Sequence, residues 1–260
     1  MTICIAAIAE NSKIVAITDK MLTLPAPVAT KYEVNENSKA IKLGSKVVGL
    51  FAGGVIAANE ILHLAKSKIE ERKCKTVLEM ANTVAEAYKE HWQADVKNSL
   101  LDRFGLDLAV FMANQKNLDD ELVKGINTFL VNKNTGVTII VAGVDTQPHL
   151  YVIDNPGTVT MLDSVGYTCI GSGSQHATLG LIEAEYHAGF TEERSLYALI
   201  EAKNRAEYDP GVGKLCDIVQ INDTYTLCDN ERVGVLTEKY NKSRDAIIKL
   251  KEAAAKELLK

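Results

Sequence analysis

No stretch of this chain stays apolar for the about 20 residues that a helix needs to cross a bilayer. Its hydrophobic content is nevertheless 47%, enough to build a sizeable core. The start lacks a charged segment followed by an apolar run and a cleavage site, so no secretory signal is expected. Positive charge is in deficit: 29 Lys and Arg against 34 Asp and Glu leave a formal charge of −5. No basic face stands out beyond the C-terminal tail, which argues against a nucleic-acid partner. Cysteines are few, odd in number and free of any CxxC pair: Cys4, Cys74, Cys169, Cys216 and Cys228. That usage fits reduced thiols in a cytoplasm better than a disulfide framework. His63, His91, His149, His176 and His187 show no metal-ligand spacing with one another or with the cysteines, so neither a metal nor a cofactor is expected. Two glycine-rich stretches fail as phosphate loops. Gly171-Ser172-Gly173-Ser174 has His176 where the dinucleotide fingerprint needs glycine, and Gly213-Lys214 has Tyr208 and Leu215 where a nucleotide loop needs glycine and Ser or Thr. No internal repeat, low-complexity linker or boundary divides the chain, so residues 1–260 are expected to form one domain.

What is present begins at the start of the chain. Residues 2–9 and 13–19 alternate as two strands around the turn Glu10-Asn11-Ser12. A looser segment with Pro25 and Pro27 follows, then short strands over 28–34, 40–43 and 46–51. The last leads through Ala52-Gly53-Gly54 into a helix over 55–69. Thr76 is placed to cap a second helix over 77–101. Between 102 and 134 the periodicity blurs; residues 106–112 read as a strand and 119–124 as an exposed charged patch. Strands return over 137–144, 149–154, 159–162 and 167–170. Helices follow from Ser174 to about 188 and over 191–206, then a closing hairpin of 216–221 and 225–228. The Ala-, Lys-, Glu- and Leu-rich tail over 231–260 should be one long helix. Strands and helices in alternating blocks do not suit a doubly wound parallel sheet. They suit an α+β chain of two antiparallel sheets packed face to face with helices outside both, a four-layer αββα sandwich with a long helical middle.

In such a sandwich the first strand is central and its N-terminus lies at one end of the cleft. If Met1 is removed, Thr2 carries a hydroxyl and a free α-amine on one residue. An adjacent amine is a recognised base for a threonine nucleophile, and its pKa of roughly 7.7–8.0 leaves much of it neutral. Asp19 closes the strand expected to pair with the first, and Lys39 opens the strand that follows. Together near Thr2 they would favour the alkoxide; alternatively they are two solvated strand-end charges. Gly53, where a strand turns into a helix, offers backbone N–H groups for an oxyanion, or merely permits a tight turn. Cys4, flanked by Ile3 and Ile5, reads as a small core residue.

These pieces together resemble a proteasome β-type subunit, of the N-terminal-nucleophile (Ntn) hydrolases. The resemblance is carried by Thr2-Ile3-Cys4, Ala16-Ile17-Thr18-Asp19-Lys20, Ser38-Lys39-Ala40-Ile41 and Gly49-Leu50-Phe51-Ala52-Gly53-Gly54. Further blocks are Ala142-Gly143-Val144-Asp145, Leu150-Tyr151-Val152-Ile153-Asp154, Ile170-Gly171-Ser172-Gly173-Ser174 and Leu181-Ile182-Glu183-Ala184-Glu185-Tyr186. It implies a threonine hydrolase of peptide or amide bonds: Thr2 as nucleophile, its amine as base, Asp19 and Lys39 as the activating pair and Gly53 N–H as oxyanion donor. Ser172 and Asp209 would hold the amine and hydroxyl in position. Met-Thr-x-Cys at the start and the long second-helix region are more similar to Anbu, the bacterial proteasome-related family. The resemblance further implies a peptide or protein substrate and a homo-oligomer, ring or open spiral, with any ATPase partner unspecified. Three departures stand out. Val212 replaces a serine common in such subunits, Pro210 follows Asp209, and the Asp19–Lys39 interval is a few residues longer than usual, the excess taken up by Leu24-Pro25-Ala26-Pro27. A catalytically silent shell subunit and a transpeptidase or ligase using the same nucleophile are the alternatives.

Overall fold

The computed structural model describes residues 2–23, 31–34 and 36–257. Met1, the 24–27 loop, residues 28–30 of the strand expected over 28–34, and Leu258 and Leu259 lie outside the described residues. Strand β1 (Cys4–Ala9) runs antiparallel to β2 (Lys13–Asp19), with Cys4 opposite Thr18 and Ala9 opposite Lys13. The turn between them works because Glu10 and Asn11 both take positive φ, 52° and 54°, the twist that tight hairpins need. All of β1 is buried, which suits an unbroken apolar run in a central strand.

A short hairpin follows, β3 (Met21–Thr23) with β4 (Lys31–Glu33), where residues 21–23 were expected to be loose. Next come β5 (Ala40–Gly44) and β6 (Val47–Gly53), then helices α1 (Val55–Arg72) and α2 (Val77–Ser99). Thr76 caps α2 in a capping box with Glu79, satisfying two N–H groups that the first turn leaves open.

The 106–112 segment is not the strand its apolar run suggested. It enters α3 (Leu108–Asn114), because Asp107 accepts the Val110 N–H at 2.7 Å and starts a helix there. Phe111 then packs with Val96, Leu101 and Ile126 in a small separate core. The 119–124 charges are exposed as expected, but they open α4 (Asp120–Asn132), which Asp119 caps through Glu121 and Leu122 N–H.

The chain continues through β7 (Val137–Val144), β8 (Pro148–Asp154), β9 (Thr158–Met161) and β10 (Tyr167–Ile170). Helix α5 (Ser174–Glu183) is shorter than the expected 174–188. It stops because Glu185 turns to φ 51° and sends Tyr186 inward, where its hydroxyl donates to Ile8 O at 2.9 Å. Helix α6 (Glu192–Ala206), strands β11 (Cys216–Ile221) and β12 (Tyr225–Leu227), and helix α7 (Asn230–Glu257) complete the described chain. Only Val233 and Tyr240 of α7 are buried.

Two five-stranded antiparallel sheets result, ordered β10-β1-β2-β11-β12 and β5-β6-β7-β8-β9. Strand faces alternate, and each sheet buries both. One apolar cluster joins residues of the two sheets, among them Cys4, Ala16, Leu50 and Ile140. A second packs β1 and β2 against α5, α6 and the start of α7, and a third packs β6 and β7 against α1 and α2. The site lies where β1 and β2 of one sheet meet β5 and β6 of the other. No helix of the described residues is long and apolar enough to cross a membrane.

Candidate active site

The β1–β2 register brings the end of β2 beside the residues that precede β1. Ile3 N–H donates to Asp19 Oδ1 at 3.0 Å, and Asp19 N–H returns a bond to Ile3 O at 3.1 Å. Lys39 precedes β5 and is held by Phe51 N–H donating to its carbonyl at 3.3 Å. Its Nζ lies 2.7 Å from Asp19 Oδ1. That ammonium also donates to Thr2 Oγ1, whose hydroxyl donates in turn to Asp19 Oδ1. Thr2 is 2% exposed, Lys39 2% and Asp19 0%. Buried charges persist only where they are paired and hydrogen-bonded, and Asp19 meets that condition fully. Beyond Oδ1, its Oδ2 accepts Met21 N–H at 3.2 Å and Gly213 N–H at 3.0 Å. The carboxylate therefore cannot swing, and it holds the lysine on the threonine hydroxyl.

Two further elements close on Thr2. The loop between β10 and α5 places Ser172 Oγ to accept the Thr2 N–H at 3.3 Å, and Gly173 N–H donates to Thr2 O at 3.3 Å. Gly171 makes this approach possible: its φ is 104°, and a Cβ there would lie 2.2 Å from Thr2 O. At the end of β6, Gly53 has φ 108°, and a Cβ would lie 1.8 Å from Gly136 O. Gly53 shares both cavities that border Thr2 and stands just before the positive end of α1.

Thr2, Asp19, Lys39, Gly53 and Ser172 thus converge. Asp209 does not join them: among the described residues its carboxylate accepts Gly211 N–H at 2.6 Å and stays within its own loop. Val212 is buried, and a Cβ on Gly173 would lie 2.7 Å from its Cγ2, so methyl groups fill that space. Cys4 is a core residue whose Sγ lies 3.1 Å from Phe51 O. Burial pushes its thiol up to about 12.

The first cavity, about 820 Å³, opens from Thr2 and Lys39 across Met21, Phe51 and Val55. Its far wall is α2, through His91, Asp95 and Asn98. The second, about 630 Å³, opens on the Ser172 side and is more polar. Sequence reading missed the α2 wall, although the spacing 91, 95, 98 puts those residues on one helical face. The Met21 and Gly213 amides that hold Asp19 carry no residue-type signal at all.

The proteasome subunit family model matches residues 127–218. Over 171 residues the chain is 29% identical to proteasome subunit beta 2 of Sulfurisphaera tokodaii, covering 61% of this chain and 77% of that protein. It is 40% identical over 91 residues to proteasome subunit beta 2 of Sulfolobus acidocaldarius, covering 32% of this chain and 41% of that protein. These matches support assigning the chain to the proteasome β-type family. Its helices and antiparallel sheets fit an α+β fold of the Ntn type. The span matched by the proteasome family model includes Ser172 and Asp209 but lies beyond Thr2, Asp19, Lys39 and Gly53. The placement of those four rests on the β1–β2 and β5–β6 geometry.

Proposed function

We propose that this proteasome β-type chain is a threonine hydrolase that cleaves peptide or amide bonds through an acyl-enzyme on Thr2. The observation that carries the reading is the contact of the Thr2 hydroxyl with both members of the buried Lys39–Asp19 pair. Once Met1 is removed, the Thr2 nitrogen is an amine beside Ser172 Oγ. It takes the hydroxyl proton as Oγ1 attacks the carbonyl carbon, and the positive charge of Lys39 favours the developing alkoxide. The tetrahedral oxyanion is met by the Gly53 N–H at the end of β6. The α-amine then returns the proton to the leaving nitrogen as the C–N bond breaks. Water, deprotonated by the same amine, releases the acid and restores Thr2. An acceptor amine in place of water would give a transpeptidase or ligase.

The layering fits the αββα sandwich of Ntn hydrolases, with residues 1–260 as one domain ending in a helical extension. Kinship with proteasome β subunits supports a homo-oligomer, ring or open spiral, acting in the cytoplasm on peptide or protein substrates. The Met-Thr-x-Cys start and the long α2 favour an Anbu-type member.

One observation favours a second reading, a silent shell subunit. Asp209 and Val212 give the amine no support, since the first bonds its own loop and the second is apolar. Intact-mass measurement combined with a hydroxyl-directed electrophile separates the two. The hydrolase loses Met1, gains one adduct on Thr2, and loses both adduct and peptide turnover in Thr2→Ala. Retained Met1 with no adduct would leave only the silent subunit.

A further inference from the structure

The two cavities that meet at Thr2 differ in character, and the proton path decides which takes which half of the substrate. This inference rests on the nucleophile reading above. The nitrogen that must protonate the leaving amine hydrogen-bonds Ser172 Oγ. Ser172 lines the 630 Å³ cavity, whereas Lys39 lines the 820 Å³ one. A general acid must lie within hydrogen-bond reach of the atom it protonates, so the departing half of the substrate belongs on the Ser172 side. The acyl half then lies along the larger, more apolar cavity.

The leaving-side cavity is a built wall. Asn155 joins its two loops, accepting Thr135 N–H at 3.3 Å and donating to Lys133 O at 3.2 Å. Asn134 Oδ1 accepts Gly136 N–H at 2.7 Å. These amides are therefore occupied in shaping the loops. Asp154 is different. It is the only charged residue lining this cavity among the described residues, it is exposed, and its carboxylate has no hydrogen-bond or ion-pair partner there. The cations nearby are engaged elsewhere. Lys133 directs its ammonium to Asp95 at 2.6 Å, and Lys89 lays its stem on the Gly157 turn without pairing to Asp154.

We infer that Asp154 is a specificity-determining residue that selects a cationic leaving side, a peptide whose residue just after the scissile bond is lysine or arginine. An unpaired carboxylate beside the departing amine attracts such a side chain and repels an acidic one. An acceptor amine that resolves the acyl-enzyme enters by the same route, so cationic acceptors are favoured as well.

The test uses the full chain and peptides that share one acyl half and differ only after the scissile bond, carrying lysine, alanine or glutamate. The wild-type protein should show kcat/KM for the lysine peptide about two- to fivefold above alanine, the range of an exposed ion pair. The preference should shrink at high salt. Asp154→Asn should abolish it and leave the alanine peptide unchanged. A lysine preference that survives in Asp154→Asn, or no preference in a wild type that still labels at Thr2, overturns the role of Asp154 and leaves the nucleophile standing. Absence of both labelling and turnover overturns the nucleophile reading, and Asp154 with it.

Discussion

Lys39 Nζ lies 2.7 Å from Asp19 Oδ1, with the lysine side chain 3% exposed and the aspartate 0%. Neither charge has water to fall back on, so removing one strands the other. Lys39→Met and Asp19→Asn should each destabilise the protein by about 3–5 kcal/mol, read from denaturant midpoints. The double variant should regain part of that stability and none of the activity. Single variants as stable as wild type would mean that the pair is solvated.

Ser172 and Asp209 are expected to behave differently, although the family resemblance gives both a supporting role. Ser172 Oγ bonds the Thr2 nitrogen directly, and losing a net hydrogen bond of about 0.5–1.5 kcal/mol should slow electrophile labelling in Ser172→Ala about two- to tenfold. Asp209 bonds its own loop. Asp209→Asn should lower the melting temperature while leaving the labelling rate within about twofold. Equal effects of the two substitutions on labelling would place Asp209 at the amine after all.

Gly171→Ala tests the close approach of two loops. The new methyl would lie 2.2 Å from Thr2 O in a backbone with φ 104°. Strain of that kind costs on the order of 1–3 kcal/mol before any clash is relieved, and relief requires Thr2 to move. Both melting temperature and labelling should fall. Normal labelling would show that Thr2 is placed without this contact.

Burial raises four thiols from 9.0, Cys4 and Cys169 to about 12, Cys216 to about 11, and Cys228 in the same direction. Unfolded thiols release their protons near that lower value while the folded ones keep them. Above it the native state therefore binds more protons, and stability falls as pH rises. Each thiol should remove roughly 1.4 kcal/mol per pH unit across that window. Denaturant midpoints followed from neutral to alkaline pH should drop accordingly, and replacing Cys216 with alanine should flatten part of the slope.

Much was legible because it is local. Apolar runs around a short turn marked β1 and β2, glycine marked the end of β6, and Thr76 marked the start of α2. Asp19 and Lys39 could be singled out because each sits at a strand end, where a charge is unusual if buried. The α3 segment misled because the short apolar run Leu108-Ala109-Val110-Phe111-Met112 serves strand or helix equally, and the capping bond of Asp107 decided it. What only the tertiary structure settled is everything that backbone groups far apart in sequence do together. The Gly213 amide on Asp19 is the plainest example, since a donor N–H belongs to every residue but proline and leaves no trace in composition. The same holds for the two unlike cavities, which exist only once α2 and the β8–β9 turn are folded onto opposite sides of one threonine. The residue types that could carry the chemistry were written in the chain; which of them touch, and from which side a substrate meets them, followed from strand register and packing.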